Sequence, residues 1–140
     1  MKYAARMLAI AVTMLPLLAT AQLGSSSKMV TQVPFEFVAG NKTIPAGECV
    51  VRAGAATGTL SISNWDAGVG TFSVTTMAGT QKDSAVNALI FHKYGDRYFL
   101  AGMKVANNQA IYQIPEGRAE KELRAQNVTE TDAILLASSK

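Results

Sequence analysis

His92 is the only histidine and Cys49 the only cysteine in the chain, so an imidazole base, a proton shuttle or a thiol nucleophile has to be one of these two residues. In a catalytic role His92 would draw on Asp96 or a neighbouring tyrosine. In an ordinary role it is a packed, hydrogen-bonded side chain on a strand between Phe91 and Lys93. Cys49 and His92 would pair as nucleophile and base only if the fold joined two remote strands, and no local signature points to that. A zinc site takes three or four Cys, His or carboxylate ligands, and one His with one Cys is too few soft ligands. No Asp-rich calcium loop is present, and Gly68-Val69-Gly70 lacks the third glycine and the strand-to-helix context of a phosphate cradle. Glu36, Glu48, Asp66, Asp83 and Asp96 fall in different strands and turns, where solvated carboxylates are the rule and a glycosidase-type pair the exception. These residue types predict a protein that is not an enzyme and that needs no metal and no cofactor.

Binding residues stand out more than catalytic ones. Tyr94, Asp96, Arg97 and Tyr98 gather at one hairpin tip, and Tyr and Arg are the side chains that most often anchor interfaces. The plain alternative is that these cross-strand pairs stabilise the hairpin itself. A second use of the fold would be an apolar-ligand carrier, with Phe35, Phe37, Phe72, Phe91 and Phe99 lining an open interior in place of a filled core. Trp65, between Asn64 and Asp66 in a Gly-rich turn, is either a lid over the core edge or an exposed contact.

These residues are carried by short runs of period two. Val33, Phe35 and Phe37 alternate with Gln32, Pro34 and Glu36, the pattern of a half-buried strand that Pro34 restricts to an edge or a bulge. Further β-rich runs lie at Glu48 to Ala53, Thr59 to Ser63, Thr71 to Met77, Val86 to Tyr94, Arg97 to Val105 and Thr131 to Ala137, with Gly-containing breaks between most of them. The sharpest signal is Phe91 to Leu100, two aromatic-rich runs around Gly95-Asp96, which suits a two-residue hairpin turn. Its register sets Tyr94 opposite Arg97, His92 opposite Phe99 and Ile90 opposite Ala101, with Lys93 opposite Tyr98 and Phe91 opposite Leu100 on the other face. One helix is expected at 115–125. Pro115 opens it, Ala119 and Leu123 turn to the sheet, and Glu120 with Arg124 forms a charged outer face. The predicted fold is therefore all-β: an antiparallel β-barrel or sandwich of about seven strands with one short C-terminal amphipathic helix.

Length and composition set the outer limits. At 140 residues, 49% hydrophobic and 16% charged, the chain makes one globular domain. Lys2 and Arg6, the apolar run Met7 to Leu18 and the small residues Ala19-Thr20-Ala21 form a secretory signal pattern over 1–21. As a helix, Met7 to Ala21 would reach only about 22 Å against about 30 Å of hydrocarbon, so no transmembrane segment is expected after cleavage. A flexible linker is expected at 22–28 and a single β domain at 29–140. Beyond residue 21 there are 11 basic and 10 acidic residues, a net charge of +1, which gives no case for nucleic acid or an anionic membrane. In an exported protein Cys49 either stays a buried thiol or bridges two copies as a homodimer.

Three stretches taken together carry a resemblance. Val33-Pro34-Phe35-Glu36-Phe37-Val38-Ala39-Gly40 through Ile44-Pro45-Ala46-Gly47, then Phe91 to Leu100, then Ile114-Pro115 with Glu120-Lys121-Glu122-Leu123, resemble a group of small exported bacterial proteins with no assigned function. The resemblance implies a compact, mostly β exported protein and carries over no catalytic or binding residue. The chain departs from that pattern at Cys49, where an aromatic is usual, and at Gly117, where Ser is commoner. The expected role is a non-catalytic interaction or structural domain in the periplasm or outside the cell, with a protein or envelope component as partner.

Overall fold

Pro34 has no N–H for a ladder, and the first strand ends at the residue before it. In a computed structural model that describes residues 26–54, 58–80, 85–107, 110–126 and 128–137, such interruptions set the element boundaries. The expected leader at 1–21 lies outside the described residues. The strands are β1 (Ser26–Val33), β2 (Phe37–Ala39), β3 (Lys42–Ile44), β4 (Gly47–Gly54), β5 (Thr59–Asn64) and β6 (Val69–Val74), followed by β7 (Thr76–Thr80), β8 (Asn87–Tyr94), β9 (Arg97–Lys104) and β10 (Ala110–Gln113). The helix α1 (Arg118–Ala125) and the strand β11 (Glu130–Ala137) follow. Eleven strand segments stand among the described residues, where about seven were expected. Pro34 to Glu36 divides β1 from β2, Thr75 divides β6 from β7, and β3 and β10 are too short to show a period in the sequence.

The strands build two sheets in a sandwich, and they do not close into a barrel. One sheet runs β1-β4-β5-β6, antiparallel throughout. The other runs β11-β8-β9-β10-β7, and β2 lies parallel against β9 with β3 outside it. Ser26, Ser27 and Lys28, expected in a linker, pair with Gly54, Ala53 and Arg52 instead. No helix among the described residues is long and apolar enough to cross a membrane.

The core lies between the sheets, built from Met29, Val51 and Ile62 on one side and Leu89, Phe91 and Met103 on the other. Phe91 meets Phe35 and Phe37 edge-on at 5.1 and 5.2 Å between ring centroids. Fully burying one such ring contributes about 2 to 3 kcal/mol. Asn64 is buried at the end of β5, where its side-chain amide donates to the carbonyl of Pro45 at 3.1 Å and accepts from the Ala67 N–H at 3.1 Å. One side chain thus ties the turn before β4 to the turn after β5.

The hairpin of β8 and β9 forms in the expected register from Tyr94↔Arg97 to Phe91↔Leu100, around Gly95 at φ +60°. Beyond Phe91 the register shifts, and Ile90 pairs with Gly102 rather than with Ala101. Ala101 is the extra residue of a bulge, and its carbonyl accepts the Ile114 N–H at 2.7 Å.

Candidate functional site

The face of β8 turned away from the core carries His92 and Tyr94, two positions apart, and α1 lies over them. Gly117 lets the helix begin there, because a Cβ on it would stand 2.8 Å from the backbone oxygen of Gly40. The helix starts at Arg118, so Pro115 lies ahead of its first turn. Its inward face is not the expected one. Glu120, read as solvent-facing beside Arg124, is only 4% exposed. His92 and Tyr94 draw it in: Glu120 Oε1 lies 2.5 Å from His92 Nδ1 and accepts the Tyr94 hydroxyl at 3.3 Å. A buried carboxylate is tolerable only with such donors.

The last strand completes the cluster. In its ladder with β8, Glu130 opposes Tyr94 and Asp132 opposes His92. Across that ladder His92 Nε2 is 3.6 Å from Glu130 Oε1 and 4.0 Å from Asp132 Oδ1. Arg124 bonds Glu116 and reaches Glu130 Oε2 at 3.6 Å. Burial, reinforced by hydrogen bonding to Glu130 and opposed by Arg124, pushes the Tyr94 phenol up to about 12. The His92 side chain is 16% exposed and borders two surface grooves. One, of about 400 Å³, is lined by Thr76, Gln113, Pro115 and Lys121. The other, of about 370 Å³, is lined by Ile90, Gly102, Lys104 and Asp132. The carboxylates in reach of His92 are thus Glu120, Glu130 and Asp132, not Asp96. The sequence signal for the cluster was Glu130-x-Asp132 opposite His92-x-Tyr94, readable only with the pairing of β11 in hand.

Of the hairpin-tip residues, Asp96, Arg97 and Tyr98 line one groove of about 180 Å³ with Phe35 and Phe37, and Tyr94 lies outside it. Tyr94 is buried beneath α1, and Tyr98 points the other way to stack on Phe35 at 3.8 Å. Lys93 lies over the Tyr98 ring at 5.3 Å. Asp96 and Arg97 are exposed, with the Arg97 guanidinium 5.2 Å from the Phe99 ring. The five phenylalanines proposed for a ligand cavity do not line one cavity together, although Phe35 and Phe37 both border that groove. Phe37 and Phe91 fill the core, Phe35 packs at its edge, Phe99 is buried against Tyr94, and Phe72 is 80% exposed. Cys49 is wholly buried in the core at β4, on a different sheet from His92, so neither a catalytic pair with His92 nor a bridge between folded copies is open to it. Burial, with Glu48 adding to it, pushes its thiol up to about 11.

A second surface stands apart from the polar cluster. Among the described residues β6 pairs with β5 alone and so forms a sheet edge. Lys42 Nζ donates to the Gly70 carbonyl at 3.2 Å, which marks Gly70, Phe72 and Val74 as the residues whose backbone groups point outward. Phe72 and Val74 are also exposed as side chains, as is Trp65 at 71%. The edge borders a groove of about 640 Å³, whose other wall is Gly40, Asn41, Ile114, Pro115 and Gly117.

Comparison with known proteins finds no family model, curated protein or solved structure that matches the chain.

Proposed function

We propose that the protein is a non-catalytic, exported interaction domain that takes an extended segment of a partner protein onto the edge of β6. The observation that carries this is Phe72: a large apolar side chain 80% exposed, on an edge strand whose outward backbone groups face a groove of about 640 Å³. An unpaired strand edge offers alternating donors and acceptors that another strand satisfies in full. The Phe72 and Val74 side chains would supply contact area and selectivity. Export is supported by the leader pattern over 1–21 and by the resemblance of Val33 to Gly47 and Phe91 to Leu100 to small exported bacterial proteins.

The test is a photo-crosslinking amino acid placed at Phe72 in the cells that make the protein, with the same group at Gln32 on the opposite edge strand as control. A discrete heterologous product from position 72 and none from position 32 is expected. Equal, diffuse labelling at both positions removes the proposal, and a product consisting of two copies of this chain replaces the partner with a self-association edge.

A further inference from the structure

We propose that His92, Glu130 and Asp132 form a binding site for a divalent transition cation of the zinc class, with Glu120 as the residue that orients the imidazole. The inference is separate from the β6 edge and draws on other residues. Its first support is the ladder. Because β11 opposes β8 with His92↔Asp132 and Tyr94↔Glu130 in register, period two places both acids on the face that carries His92.

The second support is the state of the ring. Nδ1 faces a buried carboxylate oxygen at 2.5 Å, so in the neutral imidazole that nitrogen carries the proton and Nε2 carries the lone pair. This is the carboxylate–histidine–metal relay, in which the outer carboxylate fixes the tautomer and raises the basicity of the ligating nitrogen. Nε2 points to the two acids, and one ligand atom from each of the three residues lies within 4.8 Å of the others. Bonds of about 2.0 to 2.2 Å bring such atoms to roughly 3 to 3.6 Å from one another. The 3.6 Å to Glu130 nearly meets that, and the 4.0 Å to Asp132 closes by rotation of a side chain that is 70% exposed.

Charge and ligand type select the cation. The two carboxylates at Nε2 favour a doubly charged ion, and Arg124 holds Glu130 by Oε2 while leaving Oε1 toward the ring. An imidazole with two carboxylate oxygens suits zinc better than calcium, which takes six to eight oxygens, or magnesium, which keeps its waters. Three protein ligands leave a position for water or a small ligand, and the groove of about 370 Å³ that His92 shares with Asp132 gives access to it. The competing occupant of Nε2 is a proton, with the imidazolium paired to Glu130.

Because His92 is the sole histidine, one imidazole signal reports the site. Untagged, chelator-treated protein is titrated with zinc chloride at pH 7 by calorimetry, with long-range proton–nitrogen NMR of the ring. The expected result is one equivalent bound, Nε2 shifted to a metal-bound position and Nδ1 still protonated. Asp132→Asn should weaken binding tenfold or more, and Glu120→Gln by about 10- to 100-fold. Asp132 is exposed, so its variant carries the test even if Glu120→Gln fails to fold. Unchanged ring signals at millimolar zinc overturn the proposal, and so does binding that survives both Asp132→Asn and Glu130→Gln.

Discussion

Glu120 and His92 meet at 2.5 Å although one is on a helix and the other on a strand 28 positions earlier, and this contact is what turns the charged side of α1 inward. Its loss leaves the His92 ring nitrogen and the Tyr94 hydroxyl without their buried acceptor. Glu120→Ala should therefore lower stability by about 2 kcal/mol, within the range for an unsatisfied buried group. Lys121→Ala, on the exposed side of the same turn, should stay within about 0.5 kcal/mol. Urea denaturation of both variants checks this, and equal effects would show that Glu120 carries no special weight.

Tyr94 makes stability depend on pH at the alkaline end. The phenol ionises near 10 when unfolded and near 12 when folded. Between these values the unfolded state alone releases the proton, so stability is full below pH 10 and falls as pH rises, by about 2 to 3 kcal/mol at the upper end. Tyr94→Phe should flatten this slope. Parallel stability curves for the wild type and Tyr94→Phe from pH 9 to 12 would count against the assignment.

Two glycines near the hairpin should respond in opposite order to the size of the group introduced. Gly95 has φ +60° and open space around it, so Gly95→Val meets backbone strain of about 1 to 2 kcal/mol. At Gly102 a single methyl would lie 2.6 Å from the backbone oxygen of Tyr112. Gly102→Ala must push β10 away from β9 and should cost more than Gly95→Val, about 2 to 3 kcal/mol. Thermal midpoints in the reverse order would mean that β10 yields readily.

Cys49 should resist modification. A thiol pushed up to about 11 and sealed in the core presents neither thiolate nor access at pH 8. A disulfide reagent should leave the native protein unlabelled over minutes and react fully in denaturant, and non-reducing gels should show no dimer. Prompt native labelling would mean that β4 opens readily.

How far the sequence could be read depends on the range of the forces involved. The hairpin was legible because Gly95-Asp96 and its flanking aromatics are a local instruction, and pairing followed from the turn outward until the bulge at Ala101. That bulge is held by Ile114, a partner no local pattern reveals. Glu120 looked like a solvent residue because Arg124 follows it by four, and only the distant strand β8 gave it a reason to be buried. Phe72, grouped with the other phenylalanines, reads as lining the interior. Its parity says otherwise, since Val69, Thr71 and Ser73 take the half-buried side of β6 and leave Phe72 and Val74 outside.

The pairing of β11 with β8 has a consequence for the order of assembly. Every contact from Glu130↔Tyr94 to Ala137↔Asn87 joins residues 36 to 50 positions apart, with β9, β10 and α1 between them. During synthesis β8 and β9 can already pair while one side of β8 is bare. The imidazole of His92 gains Glu130 and Asp132 only once β11 has docked, so the cluster is completed by long-range pairing and not by the local hairpin.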